Sequence, residues 1–107
     1  MPLTVADLEK DLQEVQKEKD DIISDLDNLF QETDLLKAEN QNYISYGFTE
    51  DNVQALFSID NDTFKFSSYI TVEKDTGSST FSEKGEMSDI EQGARKFLSE
   101  LNDMVNF

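Results

Sequence analysis

Residues 5–43 read VADLEKDLQEVQKEKDDIISDLDNLFQETDLLKAENQNY and contain neither glycine nor proline. Apolar residues recur along this stretch at alternating steps of three and four, which is the heptad spacing of a coiled coil. A helix that only lies on a globular core drifts from a strict 3.5-residue repeat by about 20° per heptad. The stretch therefore predicts a long helix that pairs with a second helix, and a single helix lying on its own domain is the alternative.

The seam of this coiled coil is predicted at the a and d positions of the heptads. Every d position is apolar or aromatic, whereas three a positions are polar, and polar a residues favour a dimer in one register. Asn40 can pair with Asn40 of a second chain only if the two helices are parallel, so parallel chains are favoured. Antiparallel dimers and heterodimers stay open as alternatives. The predicted dimer interface consists of Val5, Leu8, Leu12, Val15, Lys19, Ile22, Leu26, Leu29, Thr33, Leu36, Asn40 and Tyr43.

Two kinds of residue beside the seam are candidates for binding another protein. Ile23 and Phe30 occupy e positions, where they either widen the dimer core or receive a third surface. The g positions are uniformly acidic, which favours a partner with a basic helix or surface. The candidate partner-binding residues are therefore Ile23, Phe30, Asp11, Glu18, Asp25, Glu32 and Glu39.

In the second half of the chain the apolar residues recur with a different spacing. The helix is expected to end near Gly47, the first glycine in the chain. Alternating apolar residues then predict strands at Val53–Ile59 and Thr63–Lys74, and a shorter strand is predicted at Thr80–Lys84.

A C-terminal amphipathic helix follows these strands in the prediction. Ser88 with Glu91 three residues later forms the pattern of a capping box, and Gly93 would allow this helix to approach the sheet closely. The predicted fold is α+β: a long N-terminal dimeric coiled-coil helix, with parallel chains favoured, then a small three-stranded antiparallel sheet covered by the C-terminal helix. The predicted domains are residues 1–46 for the coiled coil and residues 47–107 for the head.

Composition limits the function. The 107 residues contain 24 acidic and 9 basic residues, and the formal net charge is −15. Such a field opposes direct binding to nucleic acid or to an anionic membrane. Because the chain has no cysteine and no histidine, it lacks the commonest general base and zinc ligands. We therefore predict no catalytic residue, no cofactor and no metal site. With no apparent signal peptide or membrane span, an intracellular, cytoplasmic protein is expected.

Two functions are compatible with these features. In the first, the chain is a non-enzymatic scaffolding or adaptor factor that binds itself and another protein. In the second, it is an acidic DNA mimic, such as a phage-encoded inhibitor in the basic groove of a host nucleic-acid-binding or defence enzyme. The charge is spread evenly, since residues 1–42 carry a net −8 and residues 43–107 a net −7.

Parts of the sequence resemble a known family. The run EKDDII at 18–23, the pair Leu29-Phe30, and Tyr43 with Gly47-Phe48-Thr49 are similar to the dimerising region of head-scaffolding proteins from small tailed bacteriophages. The similarity covers about 30 residues, and it implies an assembly factor that organises capsid subunits without catalysis. The order of stalk and head is also similar to RWD-type subunits of kinetochore complexes.

Overall fold

Two helices and five strands make up the described part of the chain. The computed structural model describes the backbone of residues 5–50 and 52–105, and the side chains of residues 13–50 and 52–105. The elements in chain order are α1 (Val5–Phe30), β1 (Leu36–Glu39), β2 (Tyr43–Glu50), β3 (Val53–Asp60), β4 (Phe66–Lys74), β5 (Gly77–Gly85), a short 3-10 helix (Met87–Asp89) and α2 (Ile90–Val105).

The first helix ends at Phe30, so the predicted long coiled-coil helix to Tyr43 is wrong. A polar segment stops it: the hydroxyl of Thr33 donates to the carbonyl of Phe30 at 2.6 Å and accepts from the backbone N–H of Leu35 at 3.2 Å. Side chains of this kind compete with the helix for its own backbone groups. The heptad pattern beyond Phe30 therefore does not correspond to helix, and Thr33, Leu36, Asn40 and Tyr43 all lie outside it.

The sheet has five antiparallel strands in the order β1-β2-β3-β4-β5, so the predicted three-stranded sheet is also wrong, although the α+β class is right. Both additional strands come from the stretch interpreted as helix or as the end of the helix. They join at a turn in which the side-chain oxygen of Asn40 accepts from the backbone N–H groups of Asn42 and Tyr43, at 2.7 and 2.8 Å. Gly47 lies inside β2 and ends no helix.

Both helices cover the same face of the sheet. In β3 and β4 the residues pointing to that face are buried at alternate positions, and all of them except Ser68 are apolar, which is the pattern of a sheet with one covered face. Phe57 lies at the centre of this core, with its ring 5.2 Å from Phe66, 5.9 Å from Phe30 and 5.7 Å from Phe97. One aromatic cluster thus joins α1, two central strands and α2.

Two glycines make room for the ring of Phe66. A Cβ atom on Gly93 of α2 would lie 2.7 Å from Cε2 of Phe66, and one on Gly85 would lie 2.8 Å from Cζ. Both distances are shorter than side-chain atoms tolerate. The close approach predicted for Gly93 is therefore confirmed, because this glycine lets α2 lie directly on the buried ring.

We expect Gly93→Ala to destabilise the protein despite alanine's better helix propensity. The propensity gain is about 1 kcal/mol, whereas overpacking a core costs about 1–3 kcal/mol. Urea unfolding should show a lower midpoint for the variant. In a Phe66→Leu background, where the ring is absent, the same substitution should cost little; a rise in the midpoint of Gly93→Ala alone would contradict the steric account.

The two helices differ in how much they contact the sheet. Side chains from Gln13 to Glu18 of α1 are all exposed, and contact with the core begins around Ile22. The 3-10 helix that leads into α2 is capped by Asp89, whose carboxylate accepts from the backbone N–H of Glu86 at 3.3 Å; Glu86 and Asp89, not Ser88 and Glu91, form the capping box. Thr4, with Asp7 three residues later, has the sequence pattern of an N-cap for α1, but Thr4 lies outside the described residues. Neither described helix combines the length and apolar character needed to cross a membrane.

Candidate functional site

A groove between α1 and the beginning of α2 is lined by carboxylates of α1, by Glu86 just before the 3-10 helix and by Glu91 of α2. Glu18, Asp21 and Asp25 follow one another at steps of three and four on α1, so they share one face of the helix. We call this feature the acidic groove. It has a volume of about 550 Å³ and is lined by Glu18, Asp21, Ile22, Asp25, Glu86, Met87, Ser88 and Glu91.

The floor of the acidic groove is apolar. Ile22 and Met87 are half-buried and pack against the hydrophobic core. A second hollow of about 380 Å³ adjoins the groove, shares Ile22, Asp25 and Glu91 with it, and continues between the helices to Arg95. The resulting surface is apolar at its centre and negatively charged at its sides. A basic amphipathic segment is complementary to such a surface.

Most of the charge in the acidic groove is uncompensated. Within the described part of the chain, ion pairs reach only two of its five carboxylates: Arg95 lies 3.2 Å from Glu91, and Lys65 lies 3.7 Å from Glu86. Both pairs are exposed and therefore weak. Glu18, Asp21 and Asp25 form no ion pair with any described residue. Like charges held together in a concave surface give a strong negative potential that attracts cationic groups.

A second polar cluster links α1 to the first two strands. The hydroxyl of Tyr46 donates to Asp27 at 2.6 Å, and the ammonium group of Lys37 lies 3.0 Å from Asp27 and 2.8 Å from Glu39. Burial, followed by the hydrogen bond to Asp27, raises the pKa of Tyr46 well above its ordinary value. The hydrogen bond to Glu39 is the main cause that raises the pKa of Lys37. The four side chains form hydrogen bonds and ion pairs with one another, and these contacts hold α1 against β1 and β2.

Residues predicted for the dimer seam are dispersed. Leu26 is buried in the chain's own core, where Ile22 and Leu29 also pack. Lys19 lies over the ring of Phe64 at 5.3 Å from its centroid, and Val15 is 45% exposed on the projecting part of α1. Val5, Leu8 and Leu12 lie on α1, but their side chains are outside those described. Leu36 lies in β1, Tyr43 begins β2, Thr33 follows α1 and Asn40 forms the β1–β2 turn.

The structure brings together only two of the predicted partner-binding residues, Glu18 and Asp25, which both line the acidic groove. Phe30 is only 3% exposed and belongs to the core, and Ile23 packs against that core. The others are apart: Glu39 is paired with Lys37, Glu32 is exposed in the segment after α1, and the side chain of Asp11 is outside the described ones.

Sequence reasoning missed the half of the groove that comes from the other end of the chain. Glu86, Met87 and Glu91 lie more than sixty residues after Asp25, and no local pattern connects them. Asp21 could have been found, since it continues the stripe of Glu18 and Asp25 at helical spacing. In the described residues no group of three or more metal-ligating side chains is placed to hold a metal ion. Comparison with protein-family models, with curated proteins and with solved structures found no match.

Proposed function

We propose that this chain is a non-catalytic protein-binding module whose acidic groove captures a basic segment of another protein. The observation that carries this proposal is the pairing of an apolar floor with five carboxylates, three of which form no ion pair with any described residue. A basic amphipathic helix would place its apolar side chains on Ile22 and Met87 and its lysines or arginines against the walls. An assembly or adaptor role follows if the captured segment belongs to a structural protein.

Charge neutralisation in the groove should weaken this binding selectively. We expect Glu18→Gln, Asp21→Asn and Asp25→Asn combined to raise the dissociation constant for a lysine- and leucine-patterned helical peptide at least about tenfold, since buried apolar contact remains but charge attraction is lost. Fluorescence anisotropy of the labelled peptide measures this change. Raising salt from about 50 to about 300 mM should also weaken the binding of the unmodified chain.

The matched control removes the same number of charges elsewhere. Asp62, Asp75 and Asp103 are exposed and lie outside the acidic groove, so their replacement by asparagine should change the dissociation constant less than about threefold. Equal losses for both triple variants would show that the peptide responds to total charge, and the groove would then have no special part in binding.

A second candidate function, DNA mimicry, is favoured by one specific feature of α1. Glu14, Glu18, Asp21 and Asp25 are exposed and form a continuous stripe of carboxylates at steps of four, three and four. At about 1.5 Å of rise per residue, neighbouring acids are spaced by about 4.5–6 Å along the axis, an interval that a basic DNA-binding groove can match. The discriminating measurement is competition. A mimic would displace duplex DNA from a nuclease in a strongly salt-sensitive way, whereas an adaptor would leave DNA binding unchanged.

A further inference from the structure

The described residues leave the face of the sheet opposite the helices uncovered. None of the side chains that point to this open face is buried. The strand pairing aligns one residue from each strand in a straight line across the sheet, and we call this line the central row. It consists of Leu36, Gly47, Leu56, Tyr69 and Ser82.

The open face is almost neutral in a strongly acidic chain. Its charged positions are Asp60, Glu73 and Lys84, a net charge of −1 against −15 for the whole chain. Around the central row lie small polar and apolar residues. On either side of it the register places Ala38, Ser45, Ser58 and Ser67, and Thr49, Gln54, Thr71 and Thr80.

In the central row, a projecting side chain lies one strand to one side of the middle residue, and a hollow lies one strand to the other side. Leu56 on β3 is the midpoint. Tyr69, 42% exposed, stands one strand to one side, and Gly47, without a side chain, lies one strand to the other. A hollow of about 480 Å³ opens over Gly47 and extends across Leu56 to the chain's own Tyr69; its lining also includes Leu36 and the acidic Asp34 and Glu50. A Cβ atom on Gly47 would lie 3.2 Å from Cδ1 of Leu56, so a side chain there would begin to fill this space.

We propose that a second copy of this chain packs on the open face through a two-fold axis that runs along β3. This axis places β4 of each copy over β2 of the other. Tyr69 of each copy therefore enters the hollow over Gly47 of the other. Self-complementarity of this kind is what an isologous dimer interface requires. Charge supports the same occupant, because two copies of an acidic chain repel each other least where few charges face one another; along the axis on β3, only Asp60 meets its own copy.

The open face is large enough for such a contact. The five strands have 4, 8, 8, 9 and 9 residues; at about 3.3 Å per residue and about 4.8 Å between strands they give roughly 600 Å² per copy. Two copies would then bury about 1,200 Å², the lower limit of specific interfaces. Because the helices lie on the opposite side, both acidic grooves stay outward, and the inference does not depend on the proposed function.

Sedimentation velocity tests the interface. We expect the unmodified chain at about 200 µM to sediment as a species of twice the 12.2 kDa chain mass. Tyr69→Ser removes the projection and should raise the dimer dissociation constant at least about tenfold. Val105→Ser is the control, since Val105 is 47% exposed but lies on α2, which covers the opposite face of the sheet; it should change that constant less than about threefold.

Far-UV circular dichroism and thermal unfolding establish that both variants are folded. A monomer mass for the unmodified chain would overturn the inference, as would a dimer that Tyr69→Ser leaves intact, which would point to the β5 edge or to α1 instead. Salt gives an independent result. Screening the repulsion between two acidic copies should strengthen the dimer between about 50 and about 500 mM salt, the opposite of the salt effect expected for a basic peptide in the groove.

Discussion

Phe30→Ala is expected to lower the free energy of unfolding by about 3–5 kcal/mol, the usual cost of truncating a buried aromatic side chain. The ring of Phe30 lies 4.5 Å from that of Tyr46 and 6.4 Å from that of Phe97, so it joins the end of α1 to the sheet and to α2. Since native domains have only about 5–15 kcal/mol of total stability, this loss removes a large fraction of it, and the variant should unfold at a much lower urea concentration. Urea unfolding followed by circular dichroism measures the loss.

Val15→Ala is the control for this prediction. Val15 lies on the same helix but is 45% exposed, so its truncation should change the free energy of unfolding by no more than about 0.5 kcal/mol. If the two variants were equally stable, Phe30 would not be a core residue. A stable Phe30→Ala protein that lost binding to a partner would restore the interpretation of Phe30 as a contact for other proteins.

Alkaline solution should destabilise the protein through Tyr46. Its pKa is higher in the folded than in the unfolded chain, so the folded state keeps a proton that the unfolded state releases. The stability linked to this proton is complete below the unfolded pKa of about 10 and is lost as the pH rises toward the folded pKa, at about 1.4 kcal/mol per pH unit. Unfolding by urea at a series of pH values between about 9 and about 12 should show this decline.

Tyr46→Phe separates this effect from other alkaline titrations. The variant loses the hydrogen bond to Asp27, at a cost of about 1.5–3 kcal/mol at neutral pH, but Asp27 keeps its ion pair with Lys37. Its stability should then fall much less steeply above pH 10. The raised pKa of Lys37 acts in the same direction and accounts for the remaining slope, because its ion pairs are lost as the pH passes its folded pKa. An unchanged slope in the variant would exclude Tyr46 as the source.

The elements after Val53 could be predicted because their local patterns agree with their surroundings. Alternation in β3 and β4 put Phe57, Phe66 and Ile70 on one face, and the structure buries all three. The amphipathic stripe of α2 was equally informative, since Ile90, Ala94 and Phe97 recur at helical spacing and are buried. In these segments periodicity, turn residues and burial all give the same answer.

The region between Phe30 and Val53 could not be predicted by extending the heptads. Leu36 and Tyr43 fit the d positions only by number, and one is 77% and the other 48% exposed. A local signal was present: Ile44, Tyr46 and Phe48 alternate in a segment rich in β-branched and aromatic residues, which is typical of a strand. The heptad count began in α1 and continued without a break into β1 and β2. It therefore obscured the change from helical spacing to the alternation of a strand.

The candidate site was only partly visible for a different reason. Glu18 and Asp25 could be selected from α1 alone, whereas their neighbours Glu86 and Glu91 reach the groove through the packing of α2 against α1. A single sequence carries no direct record of such a long-range contact. The open face escaped prediction too, because alignment of residues across five strands depends on a register that only the assembled sheet defines.

The simple order of the sheet also bears on how the chain is made. Every strand pairs with its predecessor, so a growing polypeptide can add one hairpin after another with short loop closures, a route that favours rapid folding. The aromatic cluster is the exception, since Phe30 from the beginning meets Phe97 from the end. The packing of α1 thus depends in part on α2, which is synthesised later, so the lasting attachment of α1 to the sheet should follow the synthesis of α2.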